Sequence, residues 1–369
     1  MNDIKVLAYY LPQFHPLPEN DEWWGKGFTE WTNVAKAKPL FKNHKQPKIP
    51  ADLGFYDLRL PEVREMQAEY AKSAGISAFC YWHYWFGEGR RLMNYPFDEV
   101  VRSGKPDFPF CLAWANHSWY QKSWTSGKGI FNLSKSKLLI EQKYSGVEDY
   151  TRHFYDMLPA FRDSRYYKLN GRLVFVVFAP QELPNPQEFM DCWRKLARKE
   201  GIADFYFIAH CYVGELLDKI RMMGFDAINF SMHQEVFPTK QDHSNLFKTI
   251  VTGINRRVHI KPTILSYKKA VEKMNVTLWE EDKIYPTLIP NWDHTPRSGN
   301  FGRVFQDCTP ELFAKHIELT IKRIKNKPKE DQVIFLKSWN EWGEGNYLEP
   351  DLEYGTQFID SMGKVILES

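Results

Sequence analysis

Eight short, near-continuous apolar runs recur along the chain, and segments with helical spacing separate most of them. The runs are Val6–Tyr10, Ala78–Tyr84, Phe110–Ala115, Val174–Phe178, Tyr206–Cys211, Ala227–Phe230, Pro286–Pro290 and Val333–Trp339. Strands buried on both faces read this way, without the polar alternation of a half-exposed sheet. Pro61–Ala74 opens with Pro then Glu and has Gly75 just past its end, the start and stop signals of a helix. Glu148–Phe161, Pro186–Lys199, Glu215–Met223 and Pro310–Lys325 show the same spacing, the last read as following strand eight. Asn94–Ser103 and Ser266–Met274 show it less fully. The alternation predicts an α/β fold, a single TIM-like (β/α)8 barrel forming one catalytic domain over residues 1–369. An open doubly wound sheet is the alternative, and a Gly-rich turn after the first strand would favour it. The turn here reads LPQFHPLPEN, without glycine.

Two connections are too long for ordinary βα loops, Leu11–Leu60 and Asn116–Tyr144. A third, Ser231–Val258, follows strand six. All three follow strands, which places them on the C-terminal face where barrels of this kind build their sites. Both of the first two are rich in Trp, Tyr, Asn, Gln and His. Aromatic residues make up 16% of the chain, including 13 Trp. Rings beside hydrogen-bonding groups suit sugars, whose C–H faces stack and whose hydroxyls need partners. Oligosaccharide or polysaccharide is therefore the expected partner.

Charge excludes other classes. The 49 basic and 46 acidic residues are interspersed, with no basic stripe, so nucleic acid is not expected. No apolar run is long enough to span a membrane. The N-terminal MNDIKVLAYYLPQF reads as a first strand rather than a signal peptide. Five cysteines form no CxxC pair, which fits a reducing cytoplasm.

Chemistry concentrates just past the strands. Tyr10, Gln13 and His15 follow strand one; His83 and Tyr84 end strand two; Trp114 and Asn116 end strand three; His210 ends strand five. His233 follows strand six, and Asn291, Trp292 and Asp293 follow strand seven. Within the first long loop, EWWGKGFTEW brings Trp24, Glu30 and Trp31 together as a sugar platform with a polar clamp, or as a loop minicore. Strand eight leads into SWNEWGEGNYLEP, with Trp339, Asn340, Glu341 and Glu344. All of these except His233 are expected to contact substrate. Residues three apart on a helical turn face the same way, roughly 5–6 Å apart at Cβ. Two carboxylates so close should push one pKa up, giving the acid and base that glycosidic cleavage needs. The spacing leans towards a retaining reaction, for which carboxyls stand about 5–5.5 Å apart. Glu349 reads as a peripheral charge. No HExxH, no Cys/His cluster, no GxSxG, no P-loop and no Asp-x-Asp is present, so neither a metal nor a cofactor is expected.

Several long strings resemble the WbsX family of polysaccharide-biosynthesis proteins. They are AYYLPQFHPLPENDEWWGKGFTEWTNVAKAKPLFKNHKQP, ADLGFYDLRLPEVREMQAEYAKSAGISAFCYWHYWF, GKPDFPFCLAWAN, LIEQKY and FLKSWNEWGEGNYLEP. That family is often labelled glycosyltransferase. It is similar to glycoside hydrolase family 99, retaining endo-α-mannosidases on a (β/α)8 barrel with a catalytic NEW-x-EG segment. The resemblance implies Glu344 as general acid/base. It implies Glu341 as the base on the sugar 2-hydroxyl, displacing the leaving group through a 1,2-anhydro intermediate; a nucleophilic Glu341 fits the spacing as well. The other rim residues follow WbsX, so mannose specificity does not carry over. The expected function is a retaining, endo-acting glycoside hydrolase on a bacterial surface polysaccharide. The alternatives are a glycosyltransferase or transglycosylase in O-antigen or capsule assembly, and a carbohydrate-binding barrel without catalysis.

Overall fold

The computed structural model describes residues 4–121, 137–237 and 261–368. Eight parallel strands close on themselves: β1 (Lys5–Tyr10), β2 (Ala78–Trp85), β3 (Phe110–Trp114), β4 (Arg172–Val177), β5 (Phe205–Cys211), β6 (Ala227–Phe230), β7 (Ile284–Leu288) and β8 (Val333–Leu336). Each strand pairs with the next, and β1 pairs with both β2 and β8, so no edge is left open. This is the closed (β/α)8 barrel that the alternation predicts. All eight runs are strands, with ends that match or shift by up to three residues. The largest shift is at β8, which stops at Leu336; beyond it single backbone bonds still hold the chain to its neighbours, the Lys337 amide donating to Leu288 of β7 and the Trp339 amide to Tyr9 of β1.

The helices form where the start signals sit. Asn185 accepts from the Glu188 amide at 3.2 Å and Thr309 from the Leu312 amide at 3.3 Å, with proline in the first turn of each helix. Pro310–Ile324 joins β7 to β8; the helix after β8 is Gln357–Glu368, which the sequence reading does not mark. Glu215–Met223 shrinks to Leu217–Arg221 behind a 3-10 turn. The first long loop carries two short helices, Pro18–Trp24 and Glu30–Lys36. Of the other two, residues 122–136 and 238–258 lie outside the described residues.

Side chains alternate across each strand, and this sorts the rings into two layers. Inside the barrel, Tyr9 stacks on Trp82 at 4.6 Å between centroids. Tyr9 donates to Asn229 Oδ1 at 2.8 Å, which also meets His210 Nδ1 at 2.8 Å, while Asn229 donates to Thr287. Outside, Trp193, Phe161, Phe189 and Phe205 pack between strands and helices. No helix among the described residues is long and apolar enough to cross a membrane.

Candidate active site

The chain beyond β8 turns once through the 3-10 turn Trp342–Glu344, so Glu341 and Glu344 point to the same place. Arg297, from the loop after β7, sits between them. Its Nη1 donates to Glu344 Oε1 at 2.6 Å and to Glu341 Oε1 at 3.3 Å, and its Nε donates to Glu30 Oε2 at 3.0 Å. Three carboxylates from two distant segments therefore converge on one guanidinium. Lys337 closes the other side, 3.2 Å from Glu341 Oε2 and 3.9 Å from Glu344 Oε2. Ser338 Oγ donates to Glu341 Oε2 at 3.0 Å, and His294 Nε2 lies 3.4 Å from Glu344 Oε1. The side chains keep a narrow opening, 15% exposed at Glu344 and 22% at Arg297.

Glycines make this convergence possible. A Cβ on Gly343 would overlap Glu30 Oε2 and come within 2.9 Å of Arg297 Nε. Gly345 has φ +52°, and a Cβ there would lie 2.9 Å from the Asp293 amide nitrogen. The same strand-seven loop is tied down by the Asp293 amide donating to the Glu344 carbonyl at 2.8 Å.

The electrostatics correct one expectation. Burial pushes the Glu344 carboxyl up, but Arg297, then Lys337, then a hydrogen bond from His294 outweigh it and hold the group well below the usual carboxylate range. The carboxylates do not simply repel; two cations separate them. The raised acid lies elsewhere. Glu349 is buried, not peripheral, and burial lifts it to about 7 despite hydrogen bonds from Trp342, Gln67 and Tyr56.

Several residues expected at the substrate face lie elsewhere, and strand alternation explains three of them. Tyr10 points outwards and donates to Gln67 at 2.7 Å. His83 also points outwards, with its Nε2 2.7 Å from that of His153. Trp114 donates to the Trp85 carbonyl at 2.9 Å and packs on Phe189. Their neighbours one residue away, Tyr9 and Trp82, face the barrel interior instead, as Tyr84 does. The Tyr84 phenol is raised first by burial and then by Glu341, which marks it as a neighbour of the pair. His210 is on the inner face; burial lowers it to about 4, offset in part by Asn229.

Other expected ligand contacts serve as ties. Asn116 accepts from the Ala179 amide and donates to the Ala179 carbonyl. Asn340 does the same to Leu11. Asn291 accepts from the Tyr347 amide. Asp293 has both oxygens engaged, by His44, Gln46 and Thr295. Trp339 is fully buried and packs on Phe79. Trp31 belongs to a minicore with Phe14, Tyr56 and Trp342. His15 is buried near Tyr95, and burial lowers it to about 4. Gln13 is half-buried. Trp24 is exposed at the rim, beside Phe28. Trp292 is buried between His233, at 4.5 Å, and Lys337, whose Nζ stands 5.6 Å from the ring centre.

Sequence reasoning missed Arg297 and Lys337. Lys337 carried a signal, since a lysine in the apolar run VIFLK needs a buried partner; Arg297 in a polar loop carried none. Behind Asp293 lies a cavity of about 260 Å³, lined by Phe41, Lys45, Lys48, Trp292, Tyr347 and Tyr354 among others. It shares the Trp292–Asp293 wall with the carboxylates.

Known proteins share this architecture. A solved endo-α-mannosidase of glycoside hydrolase family 99 from Bacteroides thetaiotaomicron, in complex with bis-tris-propane, aligns over 100% of this chain and 97% of its own at TM-score 0.55 and 15% identity. A solved glycoside hydrolase-like protein aligns over 99% and 94% at TM-score 0.57 and 15% identity. These likenesses show the fold. In sequence, the uncharacterised protein WxcX of Xanthomonas campestris pv. campestris is 34% identical over 360 residues, or 96% of this chain. The chain spans about half the length of that relative, 48%. The family model described as glycosyltransferase WbsX matches residues 6–362, and the chain belongs to that family.

Proposed function

We propose that the protein is a retaining glycoside hydrolase acting on a bacterial surface polysaccharide through Glu341 and Glu344. One observation carries the reading: both carboxylates lie within reach of a single Arg297 nitrogen at the mouth of a closed barrel. Two oxygens that share one nitrogen can be no farther apart than those two bonds end to end. That is tighter than the ~6.5 Å an inverting enzyme needs for its water. The family-99 hydrolase fold and the WbsX membership fit a carbohydrate-active enzyme.

In this reading Glu344 gives a proton to the glycosidic oxygen as the bond to C1 breaks, then takes one from the incoming water. Glu341 either removes the 2-hydroxyl proton, so that O2 closes on C1 as a 1,2-anhydro sugar, or attacks C1 itself. A 2-deoxy substrate separates the two, because only the second route cleaves it. Arg297 holds Glu344 ionised in the free protein, so an entering sugar has to displace Arg297 and let Glu344 take up a proton from solvent before it can act as an acid. The cavity behind Asp293 offers a ring-lined place for a further sugar unit, in keeping with an endo-acting enzyme.

The test is hydrolysis of surface polysaccharides, followed by reducing-end release. Glu341→Gln and Glu344→Gln should each lower kcat by ~10³-fold or more, which is about 4 kcal/mol. Activity indifferent to both would end the proposal. The second reading, glycosyl transfer, is favoured by the family's own description. Turnover that requires a nucleotide-sugar would establish it instead. Sugar binding without turnover, unchanged in both variants, would leave a binding barrel.

A further inference from the structure

Trp342 stands between the two glutamates in the chain, and its indole is anchored from below. Its Nε1 donates to Glu349 Oε2 at 2.6 Å, and its ring stacks on Tyr347 with centroids 3.6 Å apart. The Glu349 carboxyl has two further donors, Tyr56 OH at 2.9 Å and Gln67 Nε2 at 2.6 Å. Glu349 is 3% exposed. It touches neither Arg297 nor Lys337, so it does not belong to the cation-bridged cluster above it.

We propose that Glu349 is a proton-responsive positioning residue, which through its bond to the Trp342 indole sets the placement of Glu341 and Glu344. The titratable groups around it are few. Tyr10 and Tyr56 face it from β1 and from the first long loop, and burial raises both well above the ordinary phenol range. From the helix Pro61–Ser73 come Gln67 and, farther off, Arg64, whose guanidinium donates to the Leu58 carbonyl at 2.6 Å. Trp342, Trp339 and Asn340 complete the shell and do not titrate. Burial holds Glu349 near 7, far closer to neutrality than the phenols around it.

The two protonation states differ in what they do to Trp342. As a carboxylate, Glu349 accepts from all three donors, and the indole bond is charge-assisted. With a proton it must itself donate, which requires Tyr56 to turn from donor to acceptor, and the indole bond weakens to a neutral one. Tyr56 OH already receives Asn340 Nδ2 at 3.3 Å, and Asn340 precedes Glu341. Both ends of the Asn340–Trp342 segment thus feel the same proton.

The test is 19F NMR of protein labelled with 5-fluorotryptophan, the Trp342 resonance being the one lost in W342F. In the unliganded wild-type chain it should shift between pH 6 and 8 with a midpoint near 7. In Glu349→Gln the titration should vanish, and in Tyr56→Phe, which removes one donor to the carboxylate, its midpoint should rise. In turnover, Glu349→Gln should lose a limb of the kcat–pH profile near 7, with kcat reduced at least tenfold and KM within twofold. A Trp342 resonance flat from pH 5.5 to 8.5, or one that titrates alike in all three proteins, overturns the proposal. The turnover arm rests on the hydrolase reading and the NMR arm does not, so the two can fail separately. If Glu349→Gln does not fold, the wild type and Tyr56→Phe still decide the matter.

Discussion

Arg297 is the residue on which the site turns. It is nearly buried, and three glutamates depend on it. Arg297→Met should leave those carboxylates facing one another with Lys337 as the remaining cation. The Glu344 pKa should then rise towards and past the ordinary carboxylate value, read by 13C NMR of the labelled carboxyl. The sign for stability follows. A carboxylate held low contributes stability that is present above its unfolded pKa and is lost as pH falls through its folded value. Wild type should therefore lose this contribution only in strong acid, whereas the variant should be destabilised at pH 7 by about 2–4 kcal/mol, a figure discounted for the exposure of Arg297. A Glu344 titration that stays put in Arg297→Met would show that Lys337 and His294 suffice. At this scale the sequence showed the two glutamates and their common direction, because three-residue spacing on a turn is local geometry. It did not show the charge between them, because Arg297 arrives from 44 residues away, where the pairing of β7 with β8 brings their two loops together. Nor did it show Glu349 as a buried acid, since nothing local in NYLEP tells that Trp342, Gln67 and Tyr56 close over it.

At the scale of elements the barrel strands are legible in the sequence, and so, by alternation, is the facing of their side chains. Taking each strand end as one cluster put Tyr10, His83 and Trp114 at the substrate. Period-two alternation assigns Trp82 and Tyr84 to one face of β2 and His83 and Trp85 to the other, and the structure obeys it. His83 and His153 then form a buried pair outside the barrel, ring against ring at 4.9 Å, with Trp85 stacked on His153 at 4.6 Å. Burial lowers both pKa values well below the ordinary histidine range. Neutral histidines favoured by the fold contribute stability that is present above the unfolded value and lost as pH falls below it. The melting temperature should drop between pH 7 and pH 4.5. In the His83→Phe/His153→Phe double variant that drop should shrink by several degrees, about the equivalent of 1–2 kcal/mol. An equal drop in both proteins would place the acid sensitivity elsewhere.

For the whole molecule, a rigid barrel carries a site made almost wholly from its loops, and the two need not share one stability. The loops are joined by polar ties as well as by the apolar contact of Trp31 with Trp342. Asn340 ties the strand-eight loop to Leu11, Asn346 ties it to Asn291, and Asp293 ties the strand-seven loop to His44 and Gln46 of the first. Asp293 is the most heavily used. Its pKa is held below the usual range, since bonds from His44 and Thr295 outweigh burial. Asp293→Ala strands His44 Nε2 and Gln46 Nε2 in a buried place, at about 1–3 kcal/mol for each unpaired group. The strands have no part in that tie, and their ladder closes without it. Native-state hydrogen exchange should therefore show the amides of Leu40 and His44, whose bonds are internal to the first loop, speeding up by ~100-fold, about 2.7 kcal/mol of local opening. The amides of β1 and β8 should keep their rates within about threefold. If the strand amides accelerate along with the loop, barrel and site unfold as one unit, and the loops are held by the core rather than by these ties. If only the loop accelerates, the WbsX barrel can change the residues of its mouth without loss of fold.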